Sequence, residues 1–392
     1  MEARCGGESK WRALWHSVLM ESTGRGRSIA VGALIAVLSL PLGYLILTIL
    51  EEAIHLLWVT TANSAAKPVL WAMLLIIPTF AGVLVAVLRR HADGHNPMFG
   101  IALKPISGSD YPWIIGSIAA SLIGGLVLGP EVAMVSTGAV VGTVLSKKFG
   151  LDQARGATIG AIFAILALFV GPIKDHSYQA PLTYTFRLQD LIGAVAVGAA
   201  TAGVLTVGRF LSIWILRLHG GDRPKIWILA SAGFLVGAVV LAYHLVTGND
   251  VSLVLTSGEG FLKPLLALGT ASAIAITCAA KWLAYSLSMG GGFRGGPFFP
   301  AIFIGGGLGA VAGHLTPGIA AGATAAGVTA AIVYLAHPKW AVTAVVGIVL
   351  ALLTGGVSVI PLTLAAALVA RLLPGVRDTT LPTGEQTIQR VR

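Results

Sequence analysis

The sequence predicts an all-α polytopic membrane protein that carries an internal duplication. Hydrophobic residues make up 56% of its 392 residues and charged residues only 11%, whereas a soluble domain carries about 25% charged residues. Several stretches without Asp, Glu, Lys or Arg are long enough for one bilayer crossing, which takes about 20 apolar residues. These stretches are 28–50, 68–88, 111–130, 156–173, 191–208, 226–249, 264–280, 295–338 and 340–370. We expect roughly ten to fourteen membrane segments, some too short to span.

The net charge of +10 comes from basic residues in the terminal segments and in short connections between apolar stretches. This distribution is typical of positive-inside membrane topology and not of a nucleic-acid-binding surface. We therefore expect a multi-pass protein of the cell membrane with both termini in the cytoplasm and no nucleic acid partner. No cleavable signal peptide is evident, because the first apolar stretch begins late and is long enough to span.

The sequence lacks the motifs of enzymes, metal sites and disulfide frameworks. Cys5 and Cys278 lie far apart and form neither a metal motif nor a disulfide pattern. There is no nucleotide-binding loop and no nucleophile elbow, so we predict that the chain is not an enzyme and needs no cofactor. His91, Asp93 and His95 alternate in a loop without Cys, which is weak evidence for a metal, and we predict no metal site.

An internal repeat is the most informative feature of the sequence. The segment GPEVAMVSTGAVVG starts at Gly129, and the segment GPFFPAIFIGGGLG starts at Gly296. Without a gap, the repeat matches Gly129 with Gly296, Pro130 with Pro297, Gly138 with Gly305, Gly142 with Gly309 and Gly160 with Gly327. The alternative is two unrelated Gly-rich helices, because small residues let membrane helices pack closely. We expect a duplicated architecture.

Each Gly-Pro pair suits the start of a helix that faces a bound ion. Pro is favoured in the first turn of a helix, and Gly lets another backbone approach closely. The first amides of a helix have no partner within the helix and carry partial positive charge, so they can bind an anion. In duplicated membrane folds, such helix ends meet near the middle of the bilayer. We therefore expect Gly129-Pro130 and Gly296-Pro297 to face one anion path.

Glu131 is the only carboxylate between Asp110 and Asp152, and an ionisable side chain in a membrane segment is a functional candidate. Ionised, it can occupy helix-terminal amides in place of an anion; protonated, it can leave them free. We predict that Glu131 is a proton-sensitive gate. The alternative is a first-turn Glu that only complements the helix dipole. The matching residue Phe298 and its neighbour Phe299 either line the path or pack as an aromatic pair.

These two segments resemble the filter segments of the CLC family of chloride channels and anion transporters. One family segment has the form G-(K/R)-E-G-P. Gly129-Pro130-Glu131 resembles it, with Pro130 at the basic position and Val132-Ala133 at the following Gly-Pro. The other family segment has the form G-x-F-x-P, which Gly296, Phe298 and Pro300 match. The resemblance runs from about residue 28 to residue 373.

The resemblance implies a CLC-like fold of two antiparallel, inverted repeats of mostly tilted and broken helices. It implies a homodimer in the lipid bilayer, with one pathway per subunit for chloride or another small anion and with Glu131 as the external gate. We expect cytoplasmic tails at 1–27 and 374–392 and membrane repeats at 28–187 and 188–373. The implied filter residues are Gly129, Pro130, Val132, Gly295, Gly296, Pro297, Phe298, Phe299 and Pro300.

The chain departs from the family pattern at the segment that corresponds to G-S-G-I-P. Here it reads Asp93-Gly94-His95-Asn96-Pro97, and an acidic side chain beside an anion is costly unless it is paired or protonated. These residues either line the entrance of the path or form an ordinary polar loop. A second departure is Pro297, which removes one amide that family members use to bind the ion.

A third departure concerns protons, because no Glu occurs between Glu131 and Glu259. Asp175 and Asp190 are the acidic candidates for a proton path, and both are expected in loops. We therefore predict passive or weakly proton-coupled anion transport. The alternatives are a proton-coupled chloride antiporter, a non-conducting membrane scaffold with the same fold, and a cation or solute permease.

Overall fold

The structure is a computed structural model that describes residues 6–94, 96, 98, 103–170, 184–218, 220–221, 225–258, 260, 262–316 and 320–373. The described ranges fold as helices with short connections. The helices are α1 (Gly6–Ile54), α2 (Ala62–Ser64), α3 (Lys67–Leu88), α4 (Tyr111–Ile123), α5 (Glu131–Lys148), α6 (Gln153–Ile165), α7 (Ala167–Val170), α8 (Asp190–Leu218), α9 (Ile226–Thr247), α10 (Leu262–Leu266), α11 (Ala271–Gly290), α12 (Phe298–Leu315), α13 (Ala320–Ala336), α14 (Trp340–Thr354) and α15 (Ile360–Leu372). A π-helical segment, His55–Thr61, joins α1 to α2.

Five helical spans in the described residues are long and apolar enough to cross a membrane: Gly26–Ser64, Lys67–Leu88, Asp190–Leu218, Ile226–Thr247 and Phe298–Leu315. Four shorter apolar helices accompany them: Tyr111–Ile123, Gly322–Ala336, Trp340–Thr354 and Val357–Leu372. Large apolar side chains cover the outside of these helices and suit contact with lipid tails, as at Ile192 and Val246, which are 76% and 79% exposed. The predicted all-α polytopic class is confirmed.

Local signals explain where several helices begin and end. Asp152 caps α6 by accepting a hydrogen bond from the amide of Ala154, and Thr270 caps α11 in the same way from Ala273. The left-handed backbone of Gly248, with φ of 71°, ends α9. The amino-terminal segment predicted as a tail is already helical from Gly6, as the first part of α1.

The predicted repeat is visible in the way two helix pairs pack. A Cβ added to Gly138 of α5 would lie 2.0 Å from the carbonyl oxygen of Gly160 on α6. At the equivalent positions, a Cβ on Gly305 of α12 would lie 2.3 Å from the carbonyl oxygen of Gly327 on α13. Both distances are far below ordinary contact, so each helix pair touches backbone to backbone. Matching glycines thus make matching contacts in α5–α6 and in α12–α13.

One side of helix α8 packs against the second helix pair and its neighbours. Gly198 of α8 lies against the backbone of Ala366 on α15, and Gly290 of α11 lies against the backbone of Ser212 on α8. The indole nitrogen of Trp282 on α11 donates a hydrogen bond of 2.9 Å to the carbonyl of Val204 on α8. These contacts hold the middle of α8 beside α11, the helix that leads into the second Gly-Pro segment.

Candidate functional site

The two Gly-Pro segments meet in the interior of the protein. Gly129 donates a hydrogen bond of 2.7 Å to the carbonyl of Gly296, and Gly296 returns one of 2.7 Å to the carbonyl of Gly129. This reciprocal pair is an isolated antiparallel β-bridge. Pro130 and Pro297 follow as the N-caps of α5 and α12. The amino ends of the two helices therefore lie side by side, as expected for a local two-fold relation between the repeats.

Glu131, the first residue of α5, reaches across to the other helix. Its Oε1 accepts a hydrogen bond of 2.7 Å from the amide of Phe298, the first residue of α12. The side chain is 1% exposed. Its Oε2 is buried and has no hydrogen-bond partner among the described residues. The carboxylate thus binds an amide at the start of a helix, a kind of group that can also bind an anion.

Glycine is required on both sides of this carboxylate. A Cβ at Gly129 would lie 1.9 Å from Glu131 Oε2, and a Cβ at Gly296 would lie 1.8 Å from Glu131 Cδ. Neither distance leaves room for a side chain. The two glycines that pair through their backbones therefore also form the pocket that holds the Glu131 carboxylate.

The remaining residues of the predicted filter lie in or next to the starts of α5 and α12. Gly295 packs on the side chain of Leu128. Val132, Phe299 and Pro300 are buried in α5 and α12. Phe298 is partly buried and packs against the main hydrophobic core. Pro297 has no N–H, so the amide of Phe298 is the first that α12 presents, and Glu131 binds it.

Asp93 lies in an ion-pair cluster with two arginines. Arg89 donates to both of its carboxylate oxygens, at 2.9 and 2.8 Å, and Arg294 donates to Oδ1 at 3.0 Å from Nε. Both guanidinium groups are buried, and Nη1 of each also donates to the carbonyl of Gly292, at 2.8 and 3.1 Å. Asp93 thus has positive partners, and the cluster holds the chain just before Gly295 and Gly296.

The other residues of the predicted entrance are placed only in part. Gly94 lies beside Ile114 of α4. Asn96 is buried, and its side-chain oxygen accepts a hydrogen bond of 2.9 Å from the amide of Met98. His95 lies outside the described residues, as does Asp175. The described residues contain no group of three or more His, Cys, Asp or Glu side chains that could hold a metal ion. His91 instead stacks on Trp113, with ring centroids 4.2 Å apart.

Comparison with known families identifies the family to which the chain belongs. The sequence profile of the family described as "Voltage gated chloride channel" matches residues 154–375, more than half of the chain. The chain belongs to the voltage-gated chloride channel family. The predicted membership of the CLC family is thereby confirmed, and the chain is a multi-pass membrane protein.

Two relatives with curated descriptions are described as ion-transport proteins. This CLC chain is 25% identical over 327 residues to YfeO, a proposed ion-transport protein of Escherichia coli O127:H6, and the match covers 69% of the chain and 75% of YfeO. The YfeO of Escherichia coli O7:K1 is 25% identical over 328 residues, with the same coverage.

Solved structures share the fold of this CLC chain. The chain of a slow cyanobacterial Cl−/H+ antiporter matches with a TM-score of 0.69 and 16% identity, covering 93% of this chain and 97% of that one. A CLC-type fluoride/proton antiporter matches with a TM-score of 0.66 and 16% identity, covering 88% and 95%. At this identity the likeness shows the fold, and the predicted CLC-like architecture is confirmed.

Three buried polar residues of this CLC chain escaped the sequence reasoning. Tyr285 donates a hydrogen bond of 2.9 Å to the carbonyl of Pro297 and so holds the turn before α12. Arg209 and Lys281 are buried on α8 and α11. Lys281 Nζ is 3.1 to 3.3 Å from four successive carbonyls, those of residues 253–256, so its role is structural. For Arg209 and Lys281, the signal in the sequence was a single basic residue after a long uncharged stretch.

Proposed function

We propose that this chain moves chloride or a similar small anion across the membrane, along a path that passes between the starts of α5 and α12, with Glu131 as its gate. The observation that carries the proposal is the hydrogen bond from the amide of Phe298 to the Glu131 carboxylate. An acceptor with negative charge already fills the position that a helix start offers to an anion.

On this proposal, the hydrogen bond between Glu131 and Phe298 corresponds to the closed form of the path. A buried carboxylate and an anion compete for the same amide, because both are negatively charged acceptors. Protonation of Glu131 removes its charge and leaves a group that binds the amide less strongly. An incoming anion then replaces it, and the side chain turns away. The proposed gate therefore opens more readily as the pH falls.

Passive or weakly proton-coupled transport is the form of the proposal that the described residues favour. Coupling requires further protonatable groups between Glu131 and the opposite membrane surface. Within the described ranges, the buried acidic side chains are Glu131 and Asp190. Asp190 is not in a loop, as expected from the sequence, but is the first residue of α8, where it accepts a hydrogen bond from the hydroxyl of Tyr184.

A proton-coupled chloride antiporter is the second candidate, and one observation favours it. Oε2 of Glu131 is buried without a hydrogen-bond partner among the described residues, and burying an unpaired charged oxygen is costly. A proton on Oε2 would remove that cost. The two structural neighbours above are also described as antiporters.

The proposal extends to the assembly. We propose a homodimer with one pathway per subunit and both termini in the cytoplasm. We also propose that the chain consists of an amino-terminal tail (1–27), two membrane repeats (28–187 and 188–373) and a carboxy-terminal tail (374–392). The chain has no proposed enzymatic activity. Cysteine labelling of single-cysteine variants in intact cells tests the orientation, and mass measurement in lipid nanodiscs tests the dimer.

Flux from vesicles tests the proposed function. The purified chain is reconstituted into liposomes loaded with chloride, nitrate or fluoride, and anion efflux and internal pH are recorded together. Anion efflux without proton movement supports the passive form. Proton movement driven by a chloride gradient supports the antiporter. No efflux of any of the three anions, from vesicles that contain folded protein, contradicts both and leaves the non-conducting scaffold.

A further inference from the structure

The hydroxyl of Tyr285 and the carboxylate of Glu131 bind opposite ends of one peptide group. Tyr285, on α11, donates a hydrogen bond of 2.9 Å to the carbonyl oxygen of Pro297. The same peptide group carries the N–H of Phe298, which donates the bond of 2.7 Å to Oε1 of Glu131. A chain of hydrogen bonds therefore runs from the hydroxyl, through a single peptide group, to the proposed anion position.

The bond from Tyr285 fixes the direction of the Phe298 N–H. A peptide group is planar, so a partner that holds its carbonyl oxygen also holds the N–H on the other side. Tyr285 is 2% exposed and belongs to the main hydrophobic core, so its ring has little freedom to move. The N–H of Phe298 is thus aimed from behind by a buried side chain.

The same bond strengthens the Phe298 N–H as a donor. A hydrogen bond to a carbonyl oxygen draws electron density towards that oxygen and leaves the N–H of the peptide more positive. Successive bonds in such a chain strengthen one another by about 10–30% per bond. Little water competes here, because Tyr285 and Glu131 are both buried. A negative group on this amide is therefore bound more strongly than it would be without the hydroxyl.

The matching peptide group of the first repeat is held in another way. There, the carbonyl of Pro130 accepts hydrogen bonds from the amides of Ala133 and Met134, at 2.9 and 3.3 Å. The repeat matches Ala133 with Pro300, which has no N–H to donate. In the second repeat, the hydroxyl of Tyr285 donates to the corresponding carbonyl from a neighbouring helix.

Tyr285 itself departs from the repeat, although its surroundings obey it. Ser121 and Ser288 occupy matching places on α4 and α11, and each accepts a hydrogen bond of 3.1 Å from a backbone amide near the opposite Gly-Pro segment. The residue that matches Tyr285 is Ile118, a buried apolar residue of α4. The shared architecture therefore does not require the hydroxyl, which occurs in the repeat whose amide binds the Glu131 carboxylate.

We infer that Tyr285 is a positioning residue for anion binding, whose hydroxyl orients and polarises the peptide group between Pro297 and Phe298. The amide of Phe298 then binds a small anion once Glu131 has turned away. The inference rests on the proposed function, and it adds no anion position to the path. On this proposal, Tyr285 acts through the peptide group and not by contact with the anion.

The chloride concentration that gives half-maximal flux tests this role. Glu131→Gln, in which no charged side chain competes for the amide, is compared with Glu131→Gln/Tyr285→Phe in the same liposomes. Phe keeps the ring and removes only the hydroxyl. We expect the half-saturating chloride concentration to rise by about threefold to tenfold, because the amide becomes a weaker and less well aimed donor. An unchanged half-saturating concentration overturns the inference.

Tyr243→Phe is the matched control. Tyr243 is also a buried tyrosine, and its hydroxyl is 2.9 Å from that of Thr277 on α11. In the Glu131→Gln background, this substitution should leave the half-saturating chloride concentration unchanged. An equal rise in both double variants overturns the inference, because it would show a general effect of removing a buried hydroxyl. Gel filtration checks that each variant is folded.

Fluorination of the tyrosine ring gives an answer that does not require the loss of the hydroxyl. 3-Fluorotyrosine, incorporated at position 285 in the Glu131→Gln background, keeps the hydroxyl and makes it a stronger donor, because fluorine withdraws electron density. The half-saturating chloride concentration should then fall, by up to about twofold. A hydroxyl that only supports the turn before α12 would produce no fall, and that result overturns the inference.

The flux of the parent proteins separates the two levels of failure. If Glu131→Gln conducts chloride with the same half-saturating concentration with and without the Tyr285 hydroxyl, the inference alone is overturned. If folded wild-type protein and folded Glu131→Gln both conduct no chloride, the proposed function is overturned together with it.

Discussion

The carboxylate of Glu131 accepts a hydrogen bond of 2.7 Å from the amide of Phe298, and these two residues occupy equivalent positions in the internal repeat. Each is the first residue of its helix, directly after a Gly-Pro pair. One repeat supplies an amide that binds negative charge, and the other supplies a negative side chain. The duplication has thus produced a binding position and its occupant from matching places in the two halves.

Replacing Glu131 by Gln should open the path. The amide side chain imitates the protonated carboxyl and carries no charge, so it competes less strongly with an anion for the amide of Phe298. We expect anion flux from liposomes to rise, by about tenfold or more. The wild-type flux should increase as the pH falls, because protonation removes the charge of Glu131, whereas the flux of Glu131→Gln should be nearly independent of pH.

Glu52→Gln is the matched control for this experiment, because Glu52 is an exposed carboxylate on α1. It should leave both the flux and its pH dependence as in the wild type. Equal flux and equal pH dependence in Glu131→Gln and the wild type would remove Glu131 from the gate.

Replacing Gly296 by Ala should block the proposed anion position. The added Cβ would lie 1.8 Å from Glu131 Cδ, in the space that the proposed anion would take once the Glu131 side chain turns away. We expect anion flux to fall below a tenth of the wild-type value, as measured in the same liposomes at equal protein density. Gly203→Ala on α8 is the control, because a Cβ there meets nothing within 4 Å. Normal flux in Gly296→Ala would count against the proposed path.

The repeat predicts that two distant substitutions have the same effect on stability. Gly138→Ala and Gly305→Ala each push a Cβ into a carbonyl oxygen, at 2.0 and 2.3 Å. Overpacking of this kind destabilises by about 1–3 kcal/mol. We expect both variants to unfold at lower temperature in detergent, by similar amounts, with Gly203→Ala unchanged. A lower unfolding temperature in only one of the two variants would show that the two helix pairs do not depend on close packing to the same extent.

Replacing Asp93 by Asn should loosen the chain before the second Gly-Pro segment. The amide cannot balance the buried guanidinium groups of Arg89 and Arg294. Because Asp93 is 41% exposed, we expect a modest loss of about 1–3 kcal/mol in the free energy of unfolding. Asp110→Asn, at an exposed position, is the control. If the thermal unfolding of Asp93→Asn matches that of the wild type, the cluster does not stabilise this segment.

The sequence alone was sufficient to predict the membrane class, the internal repeat and the place of Glu131 at the start of a helix. Uncharged stretches of spanning length follow from the cost of polar groups in lipid, and that cost acts on each helix separately. The matches of Gly138 with Gly305 and of Gly160 with Gly327 reflect close helix contact, which only small residues permit. Such signals depend on the residue types within each helix, so the sequence alone reveals them.

The tertiary structure alone decided which polar groups meet. Asp93 is paired with Arg294, 201 residues away, and no periodicity or spacing links them. The surroundings of Arg209 depend in the same way on how α8, α11 and α13 pack together. The energy of a charge depends on the groups within a few ångströms of it, whatever their distance along the chain. The sequence therefore showed where charges interrupt the helices, and the fold determined what each one contacts.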